Sequence, residues 1–286
     1  IERVVLDALG EAGVTIHDID YVAATGGPGL IGGVLVGTVF AKTISAILSK
    51  PYYAINHLEG HILSVTLSHD IAPPFICLLV SGGHCMFVLV NRVGQYTIIG
   101  QTLDDSAGEA LDKFAKMLGL GYPGGPIIEK LAKKGDEDLY AFAKPMIGDK
   151  TSNMSFSGLK TSARNFLLKH PEIGEKDIND LCASFQKTIK DILCIKSIRA
   201  LEGLTPGLKT NKFVLVGGVA ANLYLRKHLE RTLHSQGYNL YVPDVKICTD
   251  NAAMIACAGL QRIKNNYPPS NINFAPKSRW DIEELS

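Results

Sequence analysis

Apolar residues recur at helical spacing at the start of the chain, where Val4, Val5, Leu6 and Leu9 predict an amphipathic helix over residues 1–13. "IDYVAATGGPG" then reads as a short strand running into a glycine turn, and "LIGGVLVGTVFAKTISAILSK" as a long helix of small residues that stops before Pro51. "PYYAIN" predicts a second strand and "HLEGHILSVTLSH" a second helix. This strand–helix–strand–helix rhythm predicts an α/β layer with parallel strands over the first 70 or so residues. Pro73-Pro74 marks a boundary. Beyond it the pattern changes to three apolar strands in "FICLLVSGGHCMFVLVNRVGQYTIIGQT", the first two joined at Gly82-Gly83, which predicts an antiparallel start to a new unit. A mostly helical stretch over about 101–200 follows. "KFVLVGGVAANLYLRKHLERTL" then reads strand, double glycine, helix, and "YNLYVPDVKICTDNAAMIACAGLQRI" reads strand, loop, helix. The expected division is residues 1–72 and 73–286.

Composition narrows the function classes. With 286 residues and 46% apolar content the chain can bury a large core. A net charge of +1 lacks the basic excess of wholesale phosphate binding, so any RNA contact has to come from a local patch. The candidate is Lys160, Arg164 and Lys169, with Lys187 and Lys190 on the next helix, and the bland reading is a solvated face. The six cysteines form no C-x-x-C pair and point to a reducing compartment. No run is read as approaching the roughly 18 apolar residues of a membrane span, and no signal peptide is seen. The chain opens at Ile1 rather than Met.

His57 and His61 lie four residues apart and share one helix face, so they can converge on one ion. A zinc-protease helix needs Glu directly after the first histidine; here Leu58 stands there, and Glu59 falls about 200° round the helix from His57 at 100° per residue. Spacing alone leaves two readings open, a metal pair or two histidines satisfied by hydrogen bonds. "LLVSGGH" is no P-loop, since neither Gly-Lys-Ser/Thr nor a helix follows, but its turn can offer backbone N–H groups to phosphate. "VGGVAAN" sets glycines before a helix N-terminus, another anion-binding arrangement. Either pair alone also fits an ordinary turn. Thr249, Asp250 and Asn251 precede a predicted helix, where a cap is the default reading. Asp105, Glu109 and Asp112 are spaced for one helix face, by default a solvated one.

Taken in order, "GPGLIGGVLVG", "NHLEGH", "LLVSGGH", "DDSAGEALDK", "YPGGP", "SFSGLKT", "VGGVAAN" and "TDNAAMIA" resemble the catalytic subunit of the tRNA threonylcarbamoyl-adenosine transferase family. That family was once described as an O-sialoglycoprotein endopeptidase and is similar in fold to actin, Hsp70 and sugar kinases. The resemblance covers nearly the whole chain and is nearest to bacterial forms, with organellar ones next. It implies a two-lobed actin-like ATPase (ASKHA, RNase H-like) α/β fold. Members begin with a strand and a glycine-, threonine- and serine-rich phosphate loop ahead of the first helix seen here, so the opening strands of the first lobe are expected to be missing from this sequence. Cys85 stands where threonine is common.

The resemblance further implies a divalent metal, iron(II) or zinc, held by His57, His61 and Asp250. It implies threonylcarbamoyl-adenylate bound by Leu79, Val80, Ser81, Gly82, Gly83, Asp112, Gly125, Glu129 and Asn222, with ATP, ADP or AMP able to occupy the same place. The implied reaction moves the threonylcarbamoyl group to the N6 amine of the adenosine 3′ of the anticodon in tRNAs reading A-starting codons, with release of AMP. Implied partners are tRNA with an actin-like inactive paralogue and a small P-loop ATPase in a bacterial cytoplasm, or a second copy of the chain in a mitochondrion; no membrane is implied. No general base is legible. The alternatives are a small-molecule kinase of the same superfamily, which leaves the histidine pair unexplained, a metal-dependent peptidase, which Leu58 disfavours, and a non-catalytic paralogue, which would lack the histidines.

Overall fold

The computed structural model describes residues 1–170, 172–204 and 208–285. Its elements run α1 (Glu2–Ala12), β1 (Val22–Gly27), α2 (Ile31–Leu48), β2 (Tyr52–Asn56), α3 (His57–Leu63), β3 (Phe75–Val80), β4 (Cys85–Arg92), β5 (Gln95–Gln101), α4 (Ala107–Met117), α5 (Gly124–Ala132), α6 (Ser157–Lys169), α7 (Glu175–Glu202), β6 (Lys212–Val216), α8 (Leu223–Ser235), β7 (Asn239–Tyr241) and α9 (Ala252–Lys264). The chain divides into two compact units. The first combines Ile1–Leu63 with Asn251–Glu284, and the second holds Ser64–Asp250 together with Leu285. The expected boundary fell at 72/73 with everything after it in one lobe. The structure instead returns residues 251–284 to the first unit, because their partners lie there.

In the first unit β1 and β2 pair in parallel, from Val22 opposite Tyr52 to Gly27 opposite Asn56. Helix α2 lays Val34, Thr38, Ala41 and Ser45 inward at helical spacing, and the Thr38 hydroxyl donates to the Thr25 carbonyl. The expectation that no segment reaches the length and apolarity of a membrane span does not hold for this helix. Ile31–Leu48 has 18 residues and a mean hydropathy of 1.8, because its polar positions are small Thr and Ser and its one charge is Lys42. Lys42 donates its ammonium to the Phe274 carbonyl. The segment after α9 then runs back along the strands. Ser270 N–H donates to Tyr52 O, Lys277 N–H to Gly26 O, and the Asn56 amide to Trp280 O. Gly27, at φ 143°, has no room for a Cβ because the Lys277 carbonyl lies against it.

The second unit is built on a five-stranded sheet in the order β5-β4-β3-β6-β7. β4 runs antiparallel to β3 and to β5, as the hairpin pattern predicted, while β6 and β7 are parallel additions. All six residues of β3 are buried, as expected for a central strand covered on both faces. Helices α4 to α7 stand between β5 and β6 and account for the expected helical stretch. Phe114, Phe142 and Phe185 pack ring against ring in their core, the first and last stacked at 3.9 Å.

Candidate functional site

Two glycine turns become neighbours because β3 and β6 are parallel and in register, Leu79 opposite Val216. Both strands end at the same edge, and Val80 leads into Ser81–Gly83 as Val216 leads into Gly217–Gly218. The carboxyl ends of adjacent parallel strands are where open α/β sheets receive ligands. Leu79 and Val80 are fully buried, so only their backbone can serve a ligand. Gly82 and Gly83 are exposed, with open space where a Cβ would stand. The Ser81 hydroxyl accepts from His84 N–H at 3.0 Å and from Gly83 N–H at 3.3 Å, which makes it an organiser of the turn.

Helix α4 begins directly on this turn. Ser106 caps it by accepting from Glu109 N–H, and its hydroxyl donates to the Gly82 carbonyl at 2.9 Å. A Cβ on Gly108 would stand 2.5 Å from the Ser81 carbonyl, so glycine permits the close approach. Sequence reasoning missed Ser106, although "SAGE" carries the S-x-x-E capping signature. Asp112 lies about a turn and a half into α4 and accepts from Gly124 N–H at 2.7 Å, at the N-terminus of α5. Gly124 lets α5 sit close, since a Cβ there would lie 2.7 Å from Leu111 O. Gly125 is partly open. Glu129 accepts from Leu223 N–H at 3.0 Å, at the start of α8, and Asn222 caps that helix while its amide donates to Gln186. Glu129 also borders a cleft of about 60 Å³ with Gln186 and Tyr224.

The second unit thus gathers the expected substrate residues along one chain of contacts, turn to α4, α4 to α5, α5 to α8. The two carboxylates each spend one oxygen on a helix N-terminal amide, a favourable place for negative charge. The expected single acidic face on α4 needs correcting. Asp105 lies before the helix cap and pairs with Lys113 and Lys160, both at 2.9 Å. Those cations and hydrogen bonds hold its carboxyl below the usual range against the opposing effect of burial. The expected basic stripe is correspondingly thinner. Lys160 is spent on Asp105, Lys187 pairs with Asp138, and Lys190 pairs with Asp191 at 2.6 Å, leaving Arg164 and Lys169 exposed on α6.

In the first unit His57 and His61 share one face of α3, their rings edge to face with centroids 4.8 Å apart. His61 is buried and His57 half-buried. Asn56 starts the helix by accepting from Leu58 N–H at 2.9 Å. Glu59 points elsewhere, as the helical angle required, and pairs with Arg262 at 2.8 Å. Asn251 rather than Asp250 caps α9, accepting from Met254 N–H at 2.8 Å, so the default reading of Asp250 as a cap does not hold. Asp250 is exposed and closes the second unit, next to Thr249, whose methyl would lie 3.8 Å from a Cβ on Gly218. Burial pushes Cys85 and Cys182 up to about 12, where thiolate is negligible at neutral pH.

The family model for tRNA N6-adenosine threonylcarbamoyltransferase (TsaD) matches residues 1–257. A tRNA N6-adenosine threonylcarbamoyltransferase from Rickettsia rickettsii (strain Sheila Smith) is 50% identical over 290 residues, covering 100% of this chain and 84% of its own length. Its counterpart from Orientia tsutsugamushi (strain Boryong) is 48% identical over 98% of this chain and 83% of its own. Among solved structures, HypF of T. kodakarensis superposes with TM-score 0.61 at 14% identity, over 88% of this chain and 42% of that one. The activator of 2-hydroxyisocaproyl-CoA dehydratase from Clostridium difficile, with bound ADPNP, gives 0.51 at 16% identity, over 94% and 85%. Likeness at that identity shows fold alone, the α/β actin-like ATPase fold. The chain belongs to the tRNA N6-adenosine threonylcarbamoyltransferase family, and its enzymatic class is that of a group-transferring acyltransferase.

Proposed function

We propose that this chain transfers the threonylcarbamoyl group from threonylcarbamoyl-adenylate to the N6 amine of the adenosine 3′ of the anticodon in tRNAs reading A-starting codons. The amine forms the new bond to the carbamoyl carbon, the bond to the phosphate oxygen breaks, AMP leaves and the amine gives up a proton. The observation that carries the reading is the convergence of the two glycine turns at the ends of β3 and β6, in a chain matched to this family over residues 1–257. In this reading the turn amides of Ser81–Gly83 and the open face of Gly218 take the phosphate, and the second oxygens of Asp112 and Glu129 take ribose hydroxyls. Catalysis is then mostly positioning.

His57, His61 and Asp250 are our candidates for one divalent ion. Two imidazoles on one helix face and one carboxylate suit iron(II) or zinc and leave coordination positions for substrate oxygens. When bound, such an ion supplies Lewis-acid polarisation. The paired donors on α3 support this reading, as does the packing of α9, whose cap follows Asp250 directly, against α3 in the same unit. The test is His61→Ala, assayed with labelled adenylate and tRNA. It should stay folded and lose both bound metal and transfer; a variant with native metal content and rate would exclude the site.

We further propose that the enzyme works in a bacterial-type cytoplasm, away from membrane, with an actin-like paralogue and a small P-loop ATPase. The paralogue part of this reading is supported by an exposed apolar row on α2, comprising Ile31, Leu35, Val36, Val39 and Ile47, a surface that a protein partner would cover. Leu35→Glu should abolish co-elution with the paralogue; unchanged co-elution would move the interface elsewhere.

A further inference from the structure

Glu59 is the only charged residue of α3 apart from its histidines, and its side chain has no solvent exposure. Arg262, in the last turn of α9, meets it at 2.8 Å and is itself 14% exposed. The guanidinium also lies over the Tyr267 ring, 5.3 Å from its centroid. Around this pair the two helices touch closely. A Cβ on Gly60 would stand 2.7 Å from Ile255, and the Cys257 thiol faces the Leu63 carbonyl at 3.7 Å. An ion pair this deep is a costly way to join two helices, because desolvation offsets much of the attraction. Its value is geometric: a planar guanidinium on a carboxylate fixes direction as well as distance.

We infer that Glu59 and Arg262 form a positioning pair that sets the rotation of α3 against α9, and with it the aim of His57 and His61 toward the chain that leaves Asp250. The inference rests on the metal reading proposed above. Glu59 occupies the helix face turned away from the histidines, so fixing it fixes the rotation of the imidazoles between which it stands. Arg262 lies on the helix whose cap is the residue after Asp250. One contact thus ties the donors of one segment to the element that follows the third donor. In this inference the pair acts through the histidines, since the Glu59 side chain is closed off from solvent.

The test uses cobalt(II) titrated into the metal-stripped full chain, read by its visible absorption, together with steady-state transfer kinetics. Single neutralisation would take one member out of a buried ion pair and risk unfolding. The informative variant is therefore the double Glu59→Gln/Arg262→Met, which keeps volume and removes both charges. It should fold, with cobalt affinity reduced at least tenfold and kcat reduced while KM for the adenylate stays native. Arg262→Lys keeps the charge without the planar fork, and serves where the double variant does not fold; it should weaken cobalt several-fold. Native cobalt affinity in a folded variant, with His61→Ala still deficient, would overturn the positioning pair and leave the metal site standing. Equal cobalt binding by wild type and His61→Ala would overturn both.

Discussion

Gly217 adopts φ 95°, and a Cβ there would run into the Val80 carbonyl. Its neighbour Gly218 has ordinary backbone, and a Cβ would meet nothing closer than Thr249 at 3.8 Å. The same dipeptide therefore joins a residue required by the fold to one the fold does not require. Gly217→Ala should lower the thermal midpoint by several degrees, since forcing such a conformation costs about 1–3 kcal/mol before any clash is counted. Gly218→Val should melt near wild type yet lose AMP binding by calorimetry. Native AMP affinity in that variant would remove the second turn from the nucleotide site. At this scale the sequence was informative where geometry depends on local spacing, as with the shared helix face of the two histidines and the opposite placing of Glu59. It was silent on Glu59's partner, because Arg262 stands 203 positions away and nothing local marks it.

Helix α6 shows how an element can take its start from elsewhere. Its N-cap position is Phe156, which offers no side-chain acceptor. Asp104 supplies one from 52 residues upstream, accepting from Phe156 N–H at 2.8 Å and Ser157 N–H at 3.2 Å. The Ser155 and Ser157 hydroxyls donate to its other oxygen. Burial raises the Asp104 pKa, but these hydroxyls and amides outweigh it and leave the carboxyl below its ordinary value of 3.8. A depressed carboxylate contributes stability above its unfolded pKa and loses it as pH falls through the folded one. Hydrogen exchange at Phe156 and Ser157 should therefore stay slow through mildly acidic pH and quicken only below the ordinary aspartate range. Asp104→Ala should abolish that protection at all pH and cost roughly 1 kcal/mol, the usual worth of a cap. Protection surviving in the variant would assign the helix start to other contacts. The strands and most helices were legible because their periodicity is local, whereas a cap supplied across 52 residues leaves no pattern in the segment it caps.

Charge and chain path are properties of the whole molecule. The net charge is +1, and several lysines singled out for RNA are already paired with carboxylates. A tRNA surface on α6 would rest on Arg164 and Lys169. The double reversal Arg164→Glu/Lys169→Glu should lower tRNA affinity and reduce the slope of log affinity against log salt by about one unit per lost phosphate contact. An unchanged slope would place the tRNA on another surface. Lys160→Glu is a poorer probe, since it would unseat Asp105 as well.

The residues after α9 that bond back to Tyr52, Gly26 and Asn56 also impose an order of events on the ribosome. Residues 64–250 are contiguous, so the second unit can close as soon as its own stretch has emerged. The first unit cannot. Residues 1–63 must wait through the synthesis of residues 64–250 before Arg262 reaches Glu59 and Trp280 reaches Asn56. At about 5–20 residues per second this interval is on the order of ten seconds or more, during which the apolar α2 segment has no finished structure to rest on. Residues 1–63 are thus made before the second unit but completed after it, and the exposed interval is where a chaperone would have most to do.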